Sequence, residues 1–331
     1  MTADGANRAR RASDRSVPAD DRPLASVVLP TYDRASVLSD AIESVLEQSH
    51  DALELVVVDG GSTDRTPAVV DSYDDPRLEY VRRDAPAGVS AARNRGIDRS
   101  SGEFVAFIDS DDRWRPDALE RRVTALREAP PAYGVAYCGI EKRAGEPITR
   151  TGESGDVRKA LRHLAVPTYT STLAVRRDAI AGVGGFDEAL PCFEDWDLCL
   201  RLARERRFVY VDEPLVAKGE PGDNVSADPD RLVAAIERLE AKYDLPDGTR
   251  ARLLADAGAT HCEAGRVDDG RRYLERAIRL DPTRGNAIAA YLLALTGSSA
   301  AYDAGMGGVY ALQQRLERAL ARVRVNEVVN R

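Results

Sequence analysis

Apolar residues gather in four short blocks along the first third of the chain, each followed by a polar break. Leu24 to Leu29, Leu53 to Val58, Leu78 to Val81 and Phe104 to Ile108 are too short for helices, and three of the four are apolar at nearly every position. Such runs read as strands covered on both faces, as in a parallel α/β sheet. Between them the period changes. Val37 to Gln48 puts Leu38, Ile42, Val45 and Leu46 on one helical face. Thr63 or Asp64 is placed to cap a helix beginning near Pro67, and Ser90 to Ile97 reads as a third helix after Gly88. The order β-α-β-α-β-α-β predicts a doubly wound α/β sheet, Rossmann-like and mostly parallel. Right-handed crossovers bring its strand ends to one rim, so Thr31, Asp59 and Asp109 are expected to converge there.

Past Ile108 the pattern is less regular. Pro116 to Arg127 is amphipathic, Tyr133 to Cys138 and Thr168 to Val175 read as strands, and Glu141 to Gly155 reads as a polar surface loop. Helices are expected near Arg177 to Gly182 and from Glu194-Asp195, then a strand from Val209 to Ala217 and a loop from Lys218 to Ser226. From Pro229 the composition turns to Ala, Leu, Arg and Glu at helical spacing. Arg252 to Pro282 resembles one tetratricopeptide-like helix pair, which cannot bury its own apolar face and so is expected to pack on the α/β domain or on a partner. Val309 to Val325 alternates Arg with apolar residues, as a helix on anionic lipid or a solvated helix does. Residues 1–23 hold mixed charge and no apolar segment, the pattern of a disordered tail rather than a signal peptide. The expected parts are that tail, an α/β domain over 24–228 and a small α-helical region over 229–331.

Composition narrows the chemistry. A net charge of −8 argues against nucleic acid as the main partner. The four cysteines show no CxxC spacing, so they read as reduced thiols rather than a disulfide frame or zinc site. The three histidines are scattered, which leaves no His-based metal centre. The longest apolar run, Ala287 to Leu295, is too short to span a bilayer, so the expected location is cytoplasmic or peripheral on the inner membrane face.

Carboxylates remain. The Phe104 strand ends in Asp109-Ser110-Asp111-Asp112. Carboxylates packed this closely repel each other unless a cation lies between them. Mg²⁺ or Mn²⁺ favours such oxygen ligands and is readily shared with substrate phosphates. The carboxyl end of a central strand is where open α/β sheets place ligands. The competing reading is an Asp-rich turn that caps the helix starting near Trp114-Arg115-Pro116.

Six segments occur in a fixed order: Val27-Val-Leu-Pro-Thr-Tyr-Asp-Arg34, Val57-Val-Asp-Gly-Gly-Ser-Thr-Asp64, Gly88-Val-Ser-Ala-Ala-Arg-Asn-Arg-Gly-Ile97, Phe107-Ile-Asp-Ser-Asp-Asp112, Gly184-Gly-Phe-Asp-Glu188 and Phe193-Glu-Asp-Trp-Asp-Leu198. Together, over roughly residues 24–225, they resemble glycosyltransferase family 2, inverting enzymes of the GT-A fold. The resemblance implies a nucleotide-diphospho-sugar donor, a glycan or lipid-linked acceptor, and assembly of a polyprenyl-linked oligosaccharide or surface polysaccharide. Asp109-Ser110-Asp111 then stands at the DxD motif, with Asp111 on Mn²⁺ or Mg²⁺, Asp109 on ribose or metal, and Asp112 supporting them. Pro30, Thr31, Tyr32 and Arg34, with Asp59 and Gly60, fall at the pocket for the base, and Arg93 and Asn94 behind the phosphates. Many relatives carry a second acid where this chain has Gly60, so the resemblance does not select among UDP, GDP and dTDP. Asp195 matches the catalytic base, and a helix N-terminus would keep it ionised for that work; a simple helix cap is the alternative. Lys218 stands where relatives often place a cation over the diphosphate, or is an ordinary surface lysine.

Two other classes stay open. A sugar-1-phosphate nucleotidyltransferase needs a Gly-rich basic loop after the first strand, which Pro30-Thr-Tyr-Asp-Arg34 is not. A non-catalytic nucleotide-sugar-binding scaffold has no need of Asp111 and Asp195, both of which are present.

Overall fold

The computed structural model describes residues 22–142, 147–148, 152–219 and 228–308. Residues 1–21 of the tail expected over 1–23, most of the loop after Lys218 and the helix expected at Val309 to Val325 lie outside the described residues. The chain divides into two compact units. One runs to Arg158 and adds Val166–Glu188 and Asp195–Glu220; the other takes Lys159–Ala165, Ala189–Glu194 and the chain from Pro221.

In the first unit the apolar blocks become strands β1 (Ala25–Thr31), β2 (Leu53–Asp59), β3 (Leu78–Arg82) and β4 (Phe104–Phe107). Helices α1 (Leu38–Leu46), α2 (Thr66–Val70) and α3 (Val89–Arg99) lie between them. β1 is parallel to both β2 and β4, and β2 is parallel to β3. Every residue of β1 is buried, as a two-faced strand requires. Alternate residues serve opposite faces. Val27 and Leu29 join the core that holds Leu38, Ile42 and Val45 of α1, while Val56 and Val58 pack with Ala92 of α3.

That second face is close. A Cβ added at Gly96 of α3 would lie 2.3 Å from Cγ1 of Val28. Alanine is the better helix former by about 1 kcal/mol, but Val28 is fully buried and stiff at χ1, so the clash wins. Gly96→Ala is therefore expected to cost roughly 1–3 kcal/mol through overpacking. A thermal melt checks it, and Val28→Ala in the same chain should return part of the loss. A melt unchanged by Gly96→Ala would mean that α3 sits farther from β1.

Past β4 the sheet stops being parallel. The chain continues through β5 (Arg113–Trp114), α4 (Ala118–Glu128), β6 (Tyr133–Lys142), β7 (Pro147–Ile148), α5 (Arg158–Arg162), β8 (Ala174–Arg176), α6 (Arg177–Gly182), α7 (Glu194–Leu202) and β9 (Arg207–Lys218). The described sheet has nine strands in the order β3-β2-β1-β4-β8-β6-β9-β5, with β7 paired to β6. β8 runs antiparallel to both β4 and β6, β9 runs parallel to β6, and β5 closes the edge antiparallel to β9.

Two expectations fail here for physical reasons. Thr168 to Val175 is not one strand: Thr170–Thr172 forms a 3-10 turn before β8. Oγ1 of Thr172 donates to the Tyr169 carbonyl at 2.7 Å, and such local hydroxyl bonds compete with a strand ladder. Nor does a loop begin at Glu141. β6 runs on to Lys142, and Glu141 is buried against Arg115, whose Nη2 lies 2.7 Å from Oε2. Its charge serves an ion pair inside the sheet edge rather than solvent.

The second unit is helical: α8 (Pro229–Lys242), α9 (Asp247–Glu263), α10 (Val267–Leu280) and α11 (Gly285–Ala294), with residues 299–308 also helical. Asp228 caps α8, its Oδ1 accepting from the backbone N–H of Asp230 and Arg231. The expected helix pair is α9 and α10. It does not stand alone, since Leu254, Leu274, Ala277, Ala290 and Tyr302 share one buried core. Oγ1 of Thr249 bonds the Arg162 carbonyl at 2.7 Å, so a piece of the middle of the chain belongs to this unit as well. All four cysteines are buried, and among the described residues none forms a disulfide. Among the described residues no helix is long and apolar enough to cross a membrane.

Candidate active site

The carboxyl ends of β1, β2 and β4 meet on one rim, because the parallel register aligns Thr31 with Asp59 and Val28 with Phe107. The first two loops are stitched together. Gly60 N donates to the Thr31 carbonyl at 2.8 Å, and Asp33 N to Ser62 Oγ at 2.9 Å. Oδ1 of Asp33 accepts from the backbone of Thr63 and Asp64, and Arg34 N donates to Thr66 Oγ1. Asp33 holds a left-handed backbone, φ 49°, which Asp tolerates better than most residues. Pro30, Thr31, Tyr32, Arg34, Asp59 and Gly60 are thus brought together as expected.

Their side chains divide by task. Asp59 is fully buried and spent on its own loop: Oδ1 accepts from Ser62 N at 2.8 Å and Ser62 Oγ at 2.6 Å, and Oδ2 from the Tyr80 hydroxyl at 2.7 Å. Burial and this carboxylate push the Tyr80 phenol well above its ordinary pKa. The Thr31 hydroxyl is buried with no hydrogen-bond partner among the described residues, and Tyr32 beside it is 47% exposed. A polar atom awaiting a partner next to an open aromatic face suits a planar, hydrogen-bonding ligand.

On β4 the four-residue acidic turn is held by a serine that sequence reasoning passed over. Oγ of Ser171 accepts from Asp109 N at 3.0 Å and donates to Asp112 Oδ2 at 2.6 Å. The Ser171 carbonyl accepts from the Trp114 indole at 2.9 Å and from Arg122 Nη1 at 3.1 Å. Arg122 is buried and stacked 4.1 Å above the Trp114 ring. Thr170-Ser-Thr172 carries no motif, so nothing in the sequence distinguishes this hydroxyl from its neighbours. Ser171→Ala would leave the Asp109 N–H and the Asp112 carboxylate short of a partner in a buried place. The expected loss is about 1–3 kcal/mol, read as a fall in Tm of several degrees. An unchanged Tm would mean that the turn keeps its shape without Ser171.

Asp112, expected beside Asp109 and Asp111 in support of the metal, is held by the protein itself. It is fully buried, with Oδ1 accepting from Gly219 N at 3.0 Å and Oδ2 facing Lys218 Nζ at 3.2 Å as well as Ser171. With both oxygens engaged it ties the end of β9 to the turn. Burial and the neighbouring Asp109 carboxylate push its pKa up to about 6. The alternative of an Asp-rich helix cap also fails, because Trp114 lies in β5 and α4 starts only at Ala118. Lys218 is no ordinary surface lysine: besides Asp112 it lies 3.8 Å from Oδ2 of Asp109. Burial lowers its pKa, but Asp112, Asp109 and Asp111 outweigh that and raise it above the ordinary value.

Asp109 accepts from Arg93 Nη2 at 2.7 Å. Burial opposes its charge, yet Arg93 and Lys218 hold its carboxyl below the usual range. Ser110 is buried between the two acids. Among the described residues no three His, Cys, Asp or Glu side chains form a ready-made metal cluster. Asp109 and Asp111 fit an ion of the Mg²⁺ type held by one or two carboxylates and completed by substrate phosphates; Asp112 does not.

Asn94 is likewise bound by the protein itself. Its side chain bonds the backbone of Phe186 twice, Nδ2 to the carbonyl at 2.9 Å and Oδ1 from the N–H at 2.8 Å, and reaches Glu188 Oε1 at 2.9 Å. It therefore positions the Gly184–Glu188 segment, while Arg93 lies over the Phe186 ring. Asp195 stands in the first turn of α7, where Oδ1 accepts from Trp196 N at 2.6 Å. Just before that helix Phe193 has φ 62°, a left-handed conformation costly for an aromatic residue and often kept where function demands it.

Known proteins are similar to this chain. Residues 26–183 match the sequence profile described as Glycosyl transferase family 2. A putative teichuronic acid biosynthesis glycosyltransferase, TuaG of Bacillus subtilis, is 34% identical over 39% of this chain and 52% of its own. The succinoglycan biosynthesis protein ExoO of Rhizobium meliloti is 42% identical over 46% of this chain and 43% of its own. The chain spans about half the length of these two relatives. Among solved structures, TarS 1-349 of S. aureus in complex with UDP-GlcNAc superposes with a TM-score of 0.57 at 18% identity, over 87% of this chain and 92% of that one. The mannosyltransferase PcManGT of Pyrobaculum calidifontis, in complex with GDP-Man and Mn2+, gives 0.55 at 23% identity over 92% and 86%. Residues 26–183 therefore resemble glycosyltransferase family 2, as the rim motifs anticipated, and the chain has the GT-A fold of these solved transferases.

Proposed function

We propose that the enzyme transfers a sugar from a nucleotide-diphosphate donor to an acceptor hydroxyl by a single inverting displacement. The observation that carries this reading is the rim of β4, where Asp109 is fixed between Arg93 and Lys218 beside Asp111. Fixed cations and carboxylates at a strand end suit a diphosphate and a shared ion better than either alone. Asp111 and Asp109 would hold Mg²⁺ or Mn²⁺, whose charge would offset that developing on the leaving diphosphate. The β1 and β2 loops take the nucleoside, with Tyr32 offering its open ring and Thr31 its unpaired hydroxyl. Asp195 accepts the proton of the attacking hydroxyl from the opposite side of the sugar. One displacement turns an α-linked donor into a β-linked product.

The solved neighbours were captured with UDP-GlcNAc and with GDP-Man, so both bases belong in the test. Gly60 offers no side chain to choose between them. The relatives named for teichuronic acid and succinoglycan synthesis support a glycan or lipid-linked acceptor in polysaccharide assembly. The test is release of nucleoside diphosphate from UDP-, GDP- and dTDP-sugars with and without Mn²⁺. One donor should be turned over metal-dependently and faster with acceptor. Silence toward every donor, in a protein that binds nucleoside diphosphates, would favour the scaffold reading instead.

A further inference from the structure

The helical unit holds a second polar cavity, distant in chemistry from the rim. It measures about 330 Å³ and is lined by His261 of α9 with Arg266, Asp269, Arg272, Tyr273 and Arg276. Asp269, Arg272, Tyr273 and Arg276 recur at three- and four-residue steps, so they share one face of α10. His261 is 2% exposed, and among the described residues neither ring nitrogen has a hydrogen-bond partner. The contrast with the other buried histidine is direct. His50 meets Glu120 through Nδ1 at 3.2 Å and the Pro23 carbonyl through Nε2 at 2.9 Å. Buried imidazole nitrogens are normally satisfied in this way, and an orphan pair that lines a cavity points to a missing ligand.

The surroundings define that ligand. Arg266 is paired bidentately with Asp230, both contacts 2.7 Å, and Arg272 lies 3.3 Å from Asp269. Among the described residues no carboxylate pairs with Arg276, whose guanidinium lies 5.7 Å from the centre of the Tyr273 ring. Tyr273 in turn stacks on His261, with centroids 5.0 Å apart and planes 13° from parallel. Three guanidinium groups thus face two carboxylates, and the one without an acid partner shares a wall with the orphan imidazole. Planar N–H forks and ring N–H groups on one cavity recognise tetrahedral oxyanions.

We propose that this cavity binds a phosphate monoester group, held by Arg272, Arg276 and the His261 imidazole. The volume is at the lower end of small-molecule sites, enough for a phosphate with a small organic substituent. Burial and Arg266 lower the His261 pKa, which favours the neutral ring, with one N–H and one lone pair. An oxyanion supplies an acceptor for the N–H and charge that favours protonation of the other nitrogen. The phosphate can come from a soluble ester or from a lipid headgroup at a membrane surface. The site rests on residues of the helical unit alone, so it stands or falls separately from the transferase reading.

The test uses the full ¹⁵N-labelled chain, whose three histidines give few imidazole signals. Millimolar inorganic phosphate should shift the signals of His261 while leaving those of His50 and His163 in place. Arg272→Ala and Arg276→Ala, both at exposed positions, should each weaken the phosphate Kd roughly tenfold, the worth of a lost charged hydrogen bond. A second arm sediments the chain with phosphatidylcholine vesicles containing phosphatidic acid. Sedimentation lost in the double Arg272→Ala, Arg276→Ala variant assigns the phosphate to a lipid headgroup; a positive phosphate titration without sedimentation assigns it to a soluble ester. His261 signals unmoved by phosphate, together with no arginine-dependent sedimentation, would overturn the site. So would a shift reproduced by chloride at matched ionic strength, or one indifferent to both arginine substitutions.

Discussion

Asp195→Asn is expected to lower kcat by roughly 10²–10⁴-fold, the usual worth of a positioned general base. The substitution keeps the size of the side chain. It also keeps the carbonyl oxygen that can accept from Trp196 N, as Oδ1 of Asp195 does now, so α7 should start where it does. What it removes is the capacity to take a proton near neutral pH. Asp111 and the base-side loops sit on other segments, so donor affinity should change little. The loss belongs in kcat, because the proton moves only in the transition state. Turnover with saturating donor and acceptor, together with donor affinity measured by calorimetry and a thermal melt, separates the cases. Near-normal turnover in a well-folded variant would reduce Asp195 to a helix cap. The search would then return to Asp187, Glu188 and Glu194, of which Glu188 is already bonded to Asn94.

How legible this molecule is depends on which way a side chain is used. β1, β2 and β4 are plain because strands buried on both faces must be apolar throughout, and few environments besides a covered sheet produce that pattern. Their shared rim follows from chain connectivity alone. The second half resists because its polar residues point inward. Glu141 looks like loop until Arg115 is seen against it, and Ser171 looks like one hydroxyl among three until the acidic turn closes on it. The same ambiguity divides the carboxylates. Asp59, Asp111 and Asp112 share a residue type and sit at strand ends, yet Asp59 and Asp112 are fully buried and satisfied by the protein. A sequence motif marks where acids gather; only burial and partners tell which of them the fold itself uses. The helical unit is harder to read for a different reason. Helical periodicity gives each helix an apolar face but not the face it meets, so the shared core of α9, α10 and α11 with Tyr302 is not visible in the sequence.

Asp111→Asn is expected to reduce Mn²⁺-dependent nucleoside diphosphate affinity by roughly 100-fold or more, since even a partner one step removed from a metal is commonly worth 10–100-fold. Asparagine keeps an oxygen in place but removes the charge that favours a divalent ion. Asp109 cannot readily compensate, because Arg93 and Lys218 already neutralise it. Lys218 should retain the metal-independent part of the affinity, and that part should weaken with salt as exposed charge attraction does. The comparison that isolates the effect is Asp112→Asn. There the loss should fall on stability, about 1–3 kcal/mol from a buried network with Ser171 and Gly219 left mismatched, while whatever folds should keep its metal dependence. Calorimetric titration of UDP and GDP with and without Mn²⁺, beside urea melts of both variants, reads the two outcomes separately. If Asp111→Asn leaves affinity and metal dependence unchanged while Asp112→Asn abolishes them, the ligand assignment on this turn is reversed. If neither variant alters metal dependence, the acidic turn is only a support for the loops around it, and the diphosphate must be held elsewhere on the rim.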